Sequence, residues 1–430
     1  MTECMERNIV VKQIINKKTG IYNKIWFIVA CIAIFIFSAT YLGFEYEFLP
    51  MVLNITAVIT VVGVMLHGRM PFDIKFIFIF EAMLLVSIYD IRMYVVYEVA
   101  YGAVITLSYL IGKLLVGKNK ELCDKRIMTS YLCMAFGMFT SGVVDVIYTR
   151  SQGYFNTERL LSVWNGEEYV RTTFEFCFIL IVSTVFFAVW SFKRNKIISG
   201  ALLAAALFSV IEMVKQEGRY CVMLVIIEIP CMILLYLYTQ WHEFKSQTKL
   251  TVKRLAMLFA AVIALGVLAF ALNLFGLKDL YLGSYLSTGG ILENVRFKTI
   301  YQAFAQMPEH LTGGYDTGVT MEDGRIIQVH NMWLKYGDKY GVVVLFLLLA
   351  YKLFTIVDAV KLAFKRGREY DIKYLLVPAF LSINLYYSLE PNGYANRLFL
   401  VFGLLISGMI RGKLDLADNT NQPLRIKSKP

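Results

Sequence analysis

The chain has 430 residues, 58% of them hydrophobic and 17% charged, with a formal net charge of +11 and a mean hydropathy of +0.58. Soluble globular proteins are about half apolar and about a quarter charged, so this balance excludes an ordinary soluble domain. The positive excess does not point to nucleic acid either, because the lysines and arginines gather in short segments on alternate sides of apolar blocks, which is an orientation signal.

Each apolar block is about twenty residues long, the length that spans a bilayer as a helix. The pattern predicts an all-α polytopic membrane protein with about 12 transmembrane helices, roughly 25–44, 48–66, 72–89, 93–116, 127–147, 173–191, 197–213, 219–239, 254–275, 339–357, 373–388 and 396–411. The first block is long and has no small-residue cleavage site after it, so no cleavable signal peptide is expected. With the N-terminus inside, segments such as "FKRNK" and "KLAFKRGREYDIK" face the cytoplasm. Inner segments then hold about 27 Lys and Arg against about 10 outside. Both termini are therefore expected to be cytoplasmic, in a bacterial inner membrane. The organisation reads as spans 1–9 over 1–275, an extracytoplasmic loop over 276–338, spans 10–12 over 339–411 and a cytoplasmic tail over 412–430. The seven cysteines (Cys4, Cys31, Cys123, Cys133, Cys177, Cys221 and Cys231) fall in apolar blocks or inner loops. That placement predicts no disulfide framework and no cysteine metal site.

Two outer segments are long, about 148–172 and about 276–338, and loops of such length are usually functional. In the second, "ILENVRFKTIYQAFAQM" (291–307) has apolar residues at helical spacing with a polar opposite face, and Pro308 ends it. "LTGGYDTG" follows as a turn. "GVTMEDGRIIQV" then reads as a hairpin turning at Asp323-Gly324. His330 leaves that hairpin at the mouth of the next span, in "QVHNMWLKYGDKYGVVVLF". The chain contains no Walker A sequence, no GxGxxG after a strand and no HExxH, so nucleotide hydrolysis is not expected and no cofactor or metal is predicted.

The chain has only four histidines, and one of them stands at the outer mouth of a span. Taken alone it reads as an interfacial surface residue. Two arginines are placed on the same side of the membrane. Arg219 opens a span at its outer end, where a snorkelling arginine and a cavity-lining one are equally plausible. Arg296 sits on the amphipathic helix of the large outer loop. Two guanidinium forks suit a pyrophosphate, to which each gives paired charge-assisted hydrogen bonds. An imidazole beside them can serve as a general base.

The order of these pieces resembles the bacterial O-antigen ligase and Wzy-type polysaccharide polymerase family. "EGRYCVML" is followed by "ENVRFKTIYQAFAQMPEHLTGGYDTG" and then by "HNMWLKYGDKYGVVVLFLLL". The last stretch is similar to the family's His-Asn-x-x-Leu helix with its glycine-spaced continuation, here His330, Asn331, Leu334, Gly337 and Gly341. The resemblance covers about 200–411 by motif. One departure is Gly218 before Arg219, where the family often has a serine. The resemblance implies a GT-C-like bundle and glycosyl transfer from sugars carried on undecaprenyl pyrophosphate at the outer face. Arg219 and Arg296 would hold the pyrophosphate and His330 would orient or deprotonate the acceptor hydroxyl. It implies a polymerase of capsule, O-antigen or exopolysaccharide repeat units. Its partners would be lipid-linked donor and acceptor oligosaccharides, membrane lipids, a flippase and a chain-length regulator.

Several readings stay open beside this one. A ligase would differ only in its acceptor, lipid A core or another surface molecule. A metal-dependent transferase would use Glu45 and Glu47, which more often are simply solvated. A transporter or flippase would use Glu81, Glu98, Asp145, Glu175 and Glu228 as an intramembrane path, unless they pair with Arg92 and Lys113. Secondary site candidates are Asn331, read first as a helix cap; Tyr315 and Asp316, which turn chemistry explains equally well; and Arg397, which either pairs with Glu390 or adds a third cation. His67 and His242 read as ordinary inner-loop residues, and His310 as surface.

Overall fold

The computed structural model describes the chain apart from residues 1, 44–47, 69–70, 155–158, 216–218, 242–245, 247–294, 310, 316, 321–323, 325, 391–395 and 422–430. For 2–19, 91–95, 159, 170–171, 219–226, 229, 295–297, 319 and 419–421 it describes the backbone alone. The expected span at 254–275, and with it Glu45, Glu47, His242, His310 and Asp316, lies outside the described residues.

The architecture is that of an all-α polytopic membrane protein. Among the described residues, eight helices are long and apolar enough to cross a membrane. In chain order the helices are α1 (Thr2–Thr40), α2 (Leu49–His67), α3 (Ile74–Val116), α4 (Lys120–Ser151), α5 (Arg171–Val182), α6 (Val185–Ser191), α7 (Lys196–Lys215), α8 (Arg219–Gln240), α9 (Val295–Gln306), α10 (Met332–Tyr340), α11 (Val342–Phe364), α12 (Lys373–Leu389) and α13 (Phe399–Asn421). Hairpin β1–β2 pairs Arg159–Leu161 with Glu168–Val170, and β3–β4 pairs Gly318–Thr320 with Ile326–Gln328.

Helix α3 is not one straight rod. Asp73, its N-cap, accepts from Tyr109 Oη and from Lys113 Nζ, both at 2.8 Å, although 40 residues of straight helix would separate them by about 60 Å. The Ser87 hydroxyl meets the Glu98 carbonyl at 2.9 Å. The helix therefore doubles back between Ser87 and Glu98, and its two arms occupy the places expected for the spans at 72–89 and 93–116. Elsewhere the boundaries move. Helix α4 begins at Lys120 rather than 127, the expected span at 173–191 breaks between α5 and α6, and α13 continues to Asn421, inside what reads as tail.

The second arm of α3 lies against α13 at very short range. A Cβ on Gly112 would fall 2.3 Å from the Leu405 carbonyl oxygen, and one on Gly408 would fall 2.2 Å from that of Tyr109. Without a hydrophobic force between helices in lipid, such small-residue contacts supply the packing. Ion pairs join the ends of these helices. Lys113 pairs with Asp73 and Asp415, and Asp358 pairs with Lys75 (3.0 Å) and Arg411 (3.4 Å).

Helices α10 and α11 form a hairpin of their own, where the sequence reads a single span from 339. Gly341, with φ +98°, breaks the chain between them. The two then pack side by side: a Cβ on Gly337 would lie 2.9 Å from that of Leu345, and the Trp333 ring lies 5.0 Å from Lys352 Nζ. The N-terminus of α10, with His330 just before it, is thereby turned back toward the bundle.

Candidate functional site

His330 is fixed by its neighbours in the chain. Asn331 caps α10, its Oδ1 accepting from the Leu334 amide at 3.0 Å, while its Nδ2 donates to the Ser388 carbonyl at 3.1 Å. The cap therefore also ties α10 to the C-terminal end of α12. Across that tie, His330 Nδ1 lies 3.4 Å from Glu390 Oε2, both side chains being mostly buried. The nitrogen is within ion-pair distance but makes no well-aligned hydrogen bond there. Glu390 thus stands against His330 and not against Arg397, the partner considered from the sequence. Long-range pairing of this kind leaves no trace in spacing.

Arg397 belongs to a different cluster. Its guanidinium contacts Glu98 and Asp90, and reaches Tyr340 Oη at 2.8 Å. Tyr340 in turn donates to Asp90 Oδ2 at 2.6 Å. This cluster joins the bend of α3, the end of α10 and the entry to α13, so Arg397 is balanced by two carboxylates. A third-cation role loses its basis. The same contact holds Glu98. Glu228 accepts from Ser382 at 2.6 Å, and Asp145 accepts from the Val163 amide at 2.9 Å. Lys113 is held by Asp73 and Asp415. These intramembrane groups serve separate local contacts.

The glycine-rich turn straps the α10–α11 corner. The Gly314 amide donates to the Lys339 carbonyl (2.9 Å), Tyr315 to Asp338 (3.2 Å) and Val342 to Leu311 (2.9 Å). Thr317 meets both carboxylate oxygens of Asp338, through its amide at 2.7 Å and its hydroxyl at 2.6 Å. Gly313 (φ +82°) faces Gly341, and a Cβ on either would fall 2.3 to 2.6 Å from backbone oxygen. Only glycine fits these left-handed, backbone-on-backbone positions. Through its backbone, Tyr315 is part of this strap. Within the same short helix Lys335 is fully buried, and burial pushes its ammonium below the ordinary lysine range.

The guanidinium groups of Arg219 and Arg296 lie outside the described side chains, but their helices are placed. Helix α8 runs antiparallel to α12, with Thr239 touching Tyr374 at 2.8 Å and Glu228 touching Ser382 at 2.6 Å. Arg219 is nine residues before Glu228 and Glu390 is eight after Ser382, which is about 13 Å against about 12 Å of rise. The start of α8 is thus level with Glu390. Helix α9 packs Ala303, Ile300 and Met307 onto Val329, Leu334 and Leu345. Arg296 lies one turn before Ile300 in α9, and Val329 adjoins His330. The expected loop helix and hairpin are both present, and Pro308 falls in the 3-10 turn Met307–Glu309 that follows α9.

A membrane-facing groove of about 340 Å³ runs between α1 and α2 over α3 and α13, lined by residues such as Ala33, Phe37, Ile55, Ile111 and Leu405. Its hydroxyls, Thr40, Thr56 and Ser108, all donate to carbonyls of their own helices, leaving an apolar wall. Among the described residues no group of His, Cys, Asp and Glu is arranged to hold a metal ion, and Cys31, Cys123, Cys133, Cys177 and Cys231 are thiols.

No family model matches the chain, and no curated protein and no solved structure matches it.

Proposed function

We propose that the protein is a polysaccharide polymerase of the inner membrane, with about twelve spans in a GT-C-like bundle and both termini in the cytoplasm. It joins oligosaccharide repeat units carried on undecaprenyl pyrophosphate at the outer face. The observation that carries this reading is the setting of His330. It sits at the meeting of α10 and α12, backed by Glu390 at 3.4 Å, with the start of α8 at the same level and α9 packed alongside.

In this reading His330 takes the proton of the acceptor hydroxyl as that oxygen attacks the anomeric carbon of the donor. The bond to the pyrophosphate oxygen breaks, and undecaprenyl pyrophosphate leaves with the bond's electron pair. Glu390 holds the imidazole in orientation and balances the charge it gains. Arg219 and Arg296 stabilise the negative charge on the leaving group, which therefore needs neither nucleotide nor metal. The expected partners are the lipid-linked donor and acceptor, with a flippase and a chain-length regulator.

The test is elongation of a lipid-linked repeat unit by the purified protein in the presence of EDTA. Polymer from the wild type, and unextended repeat units with His330→Ala, are the expected results. Normal chain length with His330→Ala ends the proposal. Transfer to lipid A core alone, without elongation, replaces polymerase by ligase.

A further inference from the structure

Lys352 lies ten residues into α11, about 15 Å along a helix that spans the membrane. Its ammonium does not snorkel toward lipid headgroups. It turns inward, 2.7 Å from Ser388 Oγ and 5.0 Å from the centre of the Trp333 ring. Ser388 is the residue whose carbonyl holds Asn331, so the ammonium reaches the seam on which His330 and Glu390 sit. Lys352 forms no ion pair with a carboxylate among the described residues, unlike Lys75, Lys113, Lys365 and Lys413. Trp333 Nε1, in a side chain only 4% exposed, adds a buried donor with no hydrogen-bond partner beside it.

A membrane-embedded cation is costly unless an anion meets it. A hydroxyl and an aromatic face orient the ammonium without neutralising it.

We propose that Lys352 is a binding cation for the diphosphate of a lipid-linked substrate, supplying from below the site the positive charge that Arg219 and Arg296 supply from its rim. This rests on the polymerase reading for the identity of the anion. It does not rest on that reading for the need of one. The flexible stem lets the ammonium leave Ser388 and follow the phosphate oxygens, as a point charge does better than a rigid fork.

A cation kept for a ligand is dispensable to the empty fold. Lys352→Met preserves the stem and removes the charge, so the ligand-free variant should melt at or above the wild-type temperature. Its retention of undecaprenyl diphosphate in phosphatidylcholine nanodiscs should weaken about tenfold to a hundredfold, the effect of losing one charge-assisted contact. Lys352→Arg should recover most of the binding, and His330→Ala should bind as the wild type does. A Lys352→Met protein that fails to fold, or melts well below the wild type, would assign Lys352 to structure and overturn the proposal. So would unchanged binding in a stable variant. If the wild type ignores undecaprenyl diphosphate but retains phosphatidic acid in a Lys352-dependent way, the anion site stands and the polymerase reading falls.

Discussion

His330, two residues before α10, and Glu390, the residue that follows α12, meet at 3.4 Å between Nδ1 and Oε2. A carboxylate beside one ring nitrogen leaves the other for a substrate. His330→Ala is expected to lower turnover by about 10² to 10⁴. Glu390→Gln keeps the shape and removes the charge, so turnover should drop about tenfold to a hundredfold with KM little changed. Steady-state kinetics on both variants check this, and a Glu390→Gln defect confined to KM would place Glu390 in binding instead.

Arg397 should behave unlike Arg219 and Arg296. It is 14% exposed and shared between Asp90 and Glu98. Arg397→Met removes the cation that Asp90 and Glu98 share, leaving Asp90 only the Lys339 ammonium at 3.9 Å, and is expected to destabilise the protein by about 3–5 kcal/mol. Arg219→Ala and Arg296→Ala should lose activity with melting temperatures near that of the wild type. Thermal unfolding in detergent beside polymer assays separates the two behaviours.

The strap at the α10–α11 corner makes a backbone prediction. Gly341 adopts φ +98°, and an added Cβ would lie 2.6 Å from the Leu311 carbonyl oxygen. Gly341→Ala should cost about 1–3 kcal/mol and should also reduce activity, because the corner orients the helix whose N-terminus follows His330. Gly20→Ala, where an added Cβ meets nothing, is the matched control. Equal melting temperatures for the two variants would contradict the strap.

Lys335 gives a pH dependence of stability. Its ammonium is held below the ordinary lysine value of 10.5 by burial. Between the folded value and 10.5 the unfolded chain therefore binds more protons than the folded one, and stability rises with pH across that window. Below the folded value both states are protonated and the full cost of burying the charge remains. Lys335→Met should flatten the alkaline rise. Melting curves taken from neutral pH upward on both proteins measure it, and an unchanged slope would show that Lys335 is not its source.

The sequence by itself determined the class of protein, because a bilayer imposes one length and one polarity on every crossing segment. It also placed the loop helix ending at Pro308, the β3–β4 pairing and the Asn331 cap, since these depend on residues within a few positions of one another. What only the tertiary structure decided is which distant groups share a charge. Arg397 chose Asp90 and Glu98 because α3 doubles back beneath the entry to α13. Glu390 was left for His330 because α10 folds back at Gly341. Lys352 came under the site because one turn of α12 carries Ser388 to it. Electrostatic pairing acts across space between helices far apart in the chain, and no local pattern of residues records it.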